Sequence, residues 1–253
     1  MTATPAWPPS SLPRLYVEEA LADGASLTLD GPPANYLAVV LRLDVGGQVK
    51  LFDDRTGEWL AEIAEASRKR VVLRLVERLR ERESVPDLWL LFAPIKRGRI
   101  DWLAEKATEL GVARLIPVLT RRTIVERVNL ERLRAHVVEA AEQCERTALP
   151  ELAEPEKLAD LLRAWPGDRA LFFADEEGGA PLAAAAAAAP GPAAVLIGPE
   201  GGFTAEERAA VRALPQARPV SLGPRILRAD TAAAAAVALW MAAAGDWDRH
   251  GHR

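Results

Sequence analysis

The sequence predicts an α/β protein: a parallel sheet with helices on both faces, preceded by a small β unit. Beyond Leu88, continuous apolar runs alternate with helical patterns, as strands joined by crossover helices require. Before Arg82 the runs are short, alternate in polarity and are separated by turn residues. Size agrees, since 253 residues, 49% hydrophobic and 27% charged, suit one large domain or two modest ones.

The N-terminal strands are read from RLYV at Arg14, SLTL at Ser26, QVKLFDD at Gln48, EWLAEIAEA at Glu58 and VVLRLVERL at Val71. Asp23-Gly24, Gly31-Pro32-Pro33, Gly46-Gly47 and Thr56-Gly57 punctuate them, so a small β-barrel or sheet is expected. One helix interrupts, Ala34 to Arg42, with Leu37, Val40 and Leu41 on one face. The boundary falls near Glu83-Ser84-Val85-Pro86.

Leu88 to Phe92 reads as a strand covered on both faces. Asp101 to Leu110 is a helix closed by Gly111. Arg114 to Val118 is the next strand, and Asn129 caps a helix running to about Arg146. Ala170 to Phe173 and Ala193 to Ile197 are buried strands, and the alanines from Ala183 to Ala189 favour a short helix. Thr204-Ala-Glu-Glu207 is a capping box that opens another helix. Pro219 to Leu222 is a short strand. Asp230 or Thr231 caps the final helix.

A single cysteine, Cys144, excludes an internal disulfide and fits a reducing compartment. The start has no basic patch followed by an apolar run, and the longest apolar stretch, Thr231 to Gly245, is too short to span a bilayer. A soluble, cytoplasmic protein without a membrane partner is expected. His136, His250 and His252 lack ligand spacing with Cys144, so no metal is expected. The net charge of −4 counts mildly against nucleic acid. The cations are clustered, however: Arg68, Lys69, Arg70, Arg74, Arg78, Arg80 and Arg82; Lys96, Arg97 and Arg99; Arg121 and Arg122. Each cluster reads equally as solvated surface.

Two loops carry the chemistry. In Val195-Leu-Ile-Gly-Pro-Glu-Gly-Gly-Phe-Thr204, a buried strand runs into Gly198, where ligands of open parallel sheets sit. Neither the dinucleotide fingerprint nor the Walker pattern fits, and Glu200 repels phosphate. A cationic or neutral ligand suits the loop better than a polyphosphate, and S-adenosylmethionine meets that condition; a tight turn without ligand is the bland alternative. In Ser221-Leu-Gly-Pro-Arg-Ile-Leu-Arg-Ala-Asp-Thr231, Arg225 and Arg228 flank an apolar pair and could hold an RNA phosphate or a reacting base. The plain alternative is an ion pair with Glu200 or Glu206.

LIGPEGGFTAEE followed by LGPRILRADTAAAAAVAL resembles the RsmE family of 16S ribosomal RNA uridine-N3 methyltransferases, of the SPOUT class. Lys96-Arg-Gly-Arg-Ile-Asp-Trp resembles the start of its lysine-led helix, and Glu139 to Arg146 its Glu-Gln-x-x-Arg helix. Arg14 to Val17, Val40 to Leu43 and Val49 to Asp53 resemble its PUA-type RNA-binding module. The match runs from Arg14 to about Leu239. The family more often has Glu-Thr at Asp230-Thr231 and a more acidic stretch after Lys96.

The resemblance implies a tail over 1–13, a PUA-like RNA-binding domain over 14–83, a SPOUT methyltransferase domain over 84–246 with a trefoil knot, and a tail over 247–253. It implies S-adenosylmethionine as cofactor, 16S ribosomal RNA within the small subunit as partner, and a homodimer. The final helix is a plausible partner surface, or it fills the monomer core. The implied cofactor residues are Leu171, Phe173, Ile197, Gly198, Pro199, Gly201, Gly202, Leu222, Gly223, Ile226, Leu227 and Thr231. Arg225 or Arg228 would stabilise charge on the uracil oxygens, and Glu200 is a candidate base. Arg14, Lys96, Arg97, Arg99, Arg121 and Arg122 would bind RNA. A non-catalytic RNA-binding assembly factor, or a relative that methylates another RNA site, are the alternatives.

Overall fold

The computed structural model describes residues 12–96, 98–125 and 127–248. Arg97, His250, His252 and most of the expected N-terminal tail lie outside them. The described residues divide into two compact units, one within 1–84 and 141–148, the other within 85–140 and 149–253.

The first unit is a five-stranded sheet, order β1-β3-β4-β5-β2. Its strands are β1 (Arg14–Tyr16), β2 (Ser26–Asp30), β3 (Gln48–Phe52), β4 (Glu58–Ala66) and β5 (Arg70–Arg80). β1 runs parallel to β3 and every other pairing is antiparallel. Alternation puts Leu27, Leu29, Val49, Leu51, Ala61, Ile63, Val71 and Leu73 into one core, closed by Ala34 and Leu37. The expected helix is split: α1 (Pro32–Asn35) leads into a π-helical turn, Tyr36–Val40. The wider turn rotates Val40 out of the predicted face, and it is exposed.

The second unit is an eight-stranded sheet in which all pairings are parallel. Its principal strands are β6 (Leu88–Phe92), β7 (Arg114–Leu119), β10 (Ala170–Ala174), β12 (Ala193–Ile197) and β13 (Ala217–Ser221). Two-residue strands β8 (Glu151–Leu152), β9 (Glu156–Lys157) and β11 (Ala180–Pro181) extend it. The order is β11-β13-β10-β12-β6-β7-β8, with β9 also on β7. Helices α2 (Arg99–Glu109), α5 (Leu182–Ala187) and α7 (Ala229–Ala244) pack together, α7 lying against β6 and β12. Helices α4 (Leu158–Arg163) and α6 (Ala205–Arg212) share the other core, with Leu91, Ile116, Leu171, Phe173 and Leu196. Buried helix residues Ala232, Ala233, Ala236, Val237, Trp240 and Met241 show that α7 fills core with its inner face.

The punctuation follows the residues. Thr204 Oγ1 accepts the Glu207 N–H while the Glu207 carboxylate accepts that of Thr204. Asn129 Oδ1 accepts the Arg132 N–H at the start of α3 (Leu130–Gln143). Gly111, past the end of α2, has φ +96°. One expectation needs correction. Helix α7 begins at Ala229, with Arg228 as its N-cap and no side-chain cap bond, so Asp230 and Thr231 already lie inside its first turn.

Candidate active site

The carboxyl ends of β6, β10, β12 and β13 open on one edge of the parallel sheet, where the loops that follow them enclose a cavity of about 1040 Å³. Between Ser221 and Ala229 the chain forms a strap. It leaves β13 on the far side of β10 and reaches α7, whose Asp230 meets Arg99 at the start of α2, behind β6. The strap therefore crosses the ends of β10 and β12.

The cavity brings together Lys96 and Arg99 after β6; Ala174, Asp175, Glu176 and Gly178 around the end of β10; Ile197 through Phe203 after β12; and the strap from Leu222 to Arg228. Ile197, Gly198, Pro199, Glu200, Gly201, Gly202, Leu222, Gly223, Arg225, Ile226, Leu227 and Arg228 thus share one cavity, as do Lys96 and Arg99.

Each glycine acts differently. A Cβ on Gly198 would meet the Phe203 ring at 2.6 Å, so that residue is small to seat an aromatic ring of the core. Gly202 has φ +67°, and a Cβ there would lie 2.1 Å from Glu176 Oε1. Gly223 has φ +106° with open space beside it, leaving backbone accessible to a ligand.

Several residues fall elsewhere than expected. Leu171 and Phe173 are fully buried and do not line the cavity. Strand alternation turns them onto the sheet face beneath α4 and α6, where the Phe173 ring meets Phe203 edge-on at 5.0 Å. Thr231 is exposed and outside the lining, because α7 has already begun. Arg14 belongs to the first unit and its guanidinium is buried. It pairs with Glu58 and donates to the carbonyls of Ala141 and Arg146 at 2.5 and 2.7 Å, so it is not free to hold phosphate. The side chain of Arg122 donates to the Gly201 carbonyl at 2.6 Å, and the backbone N–H of Arg121 to Glu207 at 2.7 Å; both residues are exposed.

Electrostatics divide the cavity. Arg99 binds Asp230 through two bonds of 2.7 Å and also pairs with Glu200. Arg99's hydrogen bonds outweigh the effect of burial and hold Asp230 down to about 2, helped by the Thr231 N–H. Asp230, with Glu200, raises Arg99 above its ordinary value. Asp175 is buried between Arg208 and Arg212, which fixes the loop bearing Glu176. Glu176, Lys96, Arg225 and Arg228 have no ion-pair partner among the described residues. Sequence reasoning missed Asp175 and Glu176, although an acidic DEEGG run directly after a buried parallel strand is the signal that finds them.

Residues 81–241 match the RNA methyltransferase domain family, and 29–76 match the RNA methyltransferase PUA domain. A ribosomal RNA small subunit methyltransferase E of Rickettsia conorii is 32% identical over 229 residues, covering 89% of this chain and 93% of the relative. One from Synechocystis is 34% identical over 232 residues, covering 89% of this chain and 76% of the relative. The crystal structure of the Neisseria gonorrhoeae ribosomal RNA small subunit methyltransferase E bound to S-adenosylmethionine superposes with a TM-score of 0.86 at 26% identity, covering 93% of this chain and 99% of that one. A Legionella pneumophila structure, also with bound S-adenosylmethionine, gives 0.82 at 31% identity, covering 93% and 99%. With the cavity at the strand ends and these matches over nearly its whole length, the chain belongs to the ribosomal RNA small subunit methyltransferase E family of RNA methyltransferases.

Proposed function

We propose that this protein transfers a methyl group from S-adenosylmethionine to N3 of a uridine in 16S ribosomal RNA of the small subunit. The observation that carries the reading is the mixed charge of one glycine-walled cavity. Among the described residues, a carboxylate without an ion-pair partner, Glu176, stands beside cations without one, Lys96, Arg225 and Arg228. A donor bearing sulfonium and ammonium groups suits the first, and an anionic polynucleotide suits the second. The volume is at the upper end of small-molecule sites, about 300–1,000 Å³, so a donor and an incoming base both fit. Backbone groups of the loop from Gly198 to Gly202 and of the strap from Leu222 to Leu227 would hold the donor, which supplies an electrophilic methyl on sulfur.

Arg225 or Arg228 would bind the uracil oxygens. Charge develops there as the N3 proton leaves, and fixed guanidinium groups stabilise it without reorganising. Lys96 would bind a flanking phosphate. Glu200 pairs with Arg99, so its carboxylate is already engaged within the protein. Its role is to hold the loop.

The same reading assigns 14–83 to RNA binding and 84–246 to catalysis, in a cytoplasmic homodimer with a knotted catalytic domain. The strap crossing the ends of two strands supports a knotted path. Ile226, wholly exposed at the lip of the cavity, supports a second surface closing over it. Among the described residues, no helix is long and apolar enough to cross a membrane.

Purified protein incubated with labelled donor and unmodified small subunits, followed by mass-spectrometric mapping, tests the reaction. One 3-methyluridine in 16S ribosomal RNA is the expected product. No transfer, or a methyl on another atom, overturns the assignment. Sedimentation measures the dimer.

A further inference from the structure

Arg99 stands on the first turn of α2, yet its guanidinium reaches two segments remote in sequence. Nε and Nη2 donate to the two carboxylate oxygens of Asp230, each at 2.7 Å, and Nη1 donates to Glu200. Asp230 fixes the end of the strap where it enters α7. Glu200 lies in the loop after β12. These two segments form most of the cavity wall. The base of the fork is itself anchored. Asp101 accepts the Gly98 N–H at 3.1 Å and is held by Arg132 through bonds of 3.0 and 2.6 Å, so the backbone under Arg99 is pinned.

We propose that Arg99 is the positioning residue of the donor site, one planar guanidinium that sets the separation of loop and strap, and not an RNA-phosphate ligand. The inference rests on the methyltransferase reading above. A guanidinium offers five donors in fixed directions and can serve two carboxylates at once; an ammonium, a point charge on a flexible stem, cannot hold both in register. Partner occupancy separates Arg99 from Lys96, Arg225 and Arg228, which have no ion-pair partner among the described residues. A polyanion meeting the cavity would find those three cations available and Arg99 already neutralised by two carboxylates.

The test uses the full-length protein and its Arg99→Ala, Arg99→Lys, Asp230→Asn and Arg99→Ala/Asp230→Asn variants. Calorimetry with S-adenosylmethionine, filter binding of a 16S ribosomal RNA transcript across salt, and steady-state methylation are measured on each. Arg99→Ala is expected to weaken donor binding by about tenfold or more and to raise donor KM in parallel, with most of the loss in KM. RNA affinity and its salt slope stay at the wild-type level. Arg99→Lys recovers part of the donor affinity. The double variant is no worse than the stronger single one, since both substitutions remove the same ion pair. Should Arg99→Ala fail to fold, Arg99→Lys and Asp230→Asn carry the same comparison. Unchanged donor affinity with weakened RNA binding and a shallower salt slope would overturn the proposal and make Arg99 a phosphate ligand. Absence of donor binding by the wild-type protein would overturn the methyltransferase reading, and this inference with it.

Discussion

The arginines around the cavity are sorted by what they already hold. Arg99 is committed to Asp230 and Glu200, and Arg122 to the Gly201 carbonyl, whereas Arg225 and Arg228 have no ion-pair partner among the described residues. Charge with no partner in the free protein is available to the transition state. Replacing the arginine proposed to contact the uracil oxygens, Arg225 or Arg228, by alanine should therefore lower kcat by about 10²–10³-fold. Stability should change by no more than about 0.5 kcal/mol. Single-turnover rates and thermal unfolding of each variant measure the two effects, and wild-type rates in both would remove the role. Asp230 makes a second prediction. Its pKa is depressed from 3.8 to about 2, so its ion pair stabilises the fold fully above pH 4 and is lost as pH falls toward 2. Asp230→Asn should flatten acid unfolding across that window. The sequence shows arginines but not their partners. Arg14 is the clear instance, since the carbonyls it holds are more than 120 residues away.

Loops and helix ends show how much was legible at the scale of elements. Gly111, Asn129 and the Thr204–Glu207 box were readable because capping is local: donor and acceptor lie within four residues. The inward faces of the strands were readable from alternation. What could not be read depended on packing. The π-helical turn at Tyr36–Val40, the two-residue strands and α4 have short or weak periods, and tertiary contacts define them. Leu171 and Phe173 lie in the core and not in the cavity lining for a related reason: apolar character marks burial, not which buried surface faces a ligand. The glycines mark a loop of the cavity wall, partly for reasons other than ligand approach. Gly202→Ala should cost about 1–2 kcal/mol in loop conformation. It should also displace Glu176, so donor affinity falls together with stability. Gly223→Ala meets no atom within 4 Å, so it should strain the strap without moving Glu176. Calorimetry on the two variants separates backbone strain from displacement of the carboxylate, and equal affinity losses would deny Glu176 a part in holding the donor.

Across the whole chain, a net charge of −4 must coexist with binding a polyanion, so cations must be grouped rather than numerous. Ion pairing inside the first unit leaves one such group without partners among the described residues. Arg74 pairs with Glu62, Arg78 with Glu81, Arg80 with Glu58 and Arg82 with Asp54. Arg68, Lys69 and Arg70, at the turn between β4 and β5, are exposed without an ion-pair partner among the described residues. The Lys69 carbonyl accepts the Gly31 N–H at 3.1 Å, which sets this turn beside the start of α1. An exposed basic turn whose cations have no ion-pair partner among the described residues suits phosphate binding. Replacing Arg68, Lys69 and Arg70 together by alanine should weaken binding of a 16S ribosomal RNA transcript. The slope of log affinity against log salt should fall by about 2–3, near one for each phosphate no longer neutralised. Donor affinity should not change, because none of the three lines the cavity. Arg74→Ala with Arg78→Ala should leave the slope nearly intact, since both cations are already partnered. A slope that falls equally in the two sets would mean that RNA responds to total charge, not to the unpartnered turn.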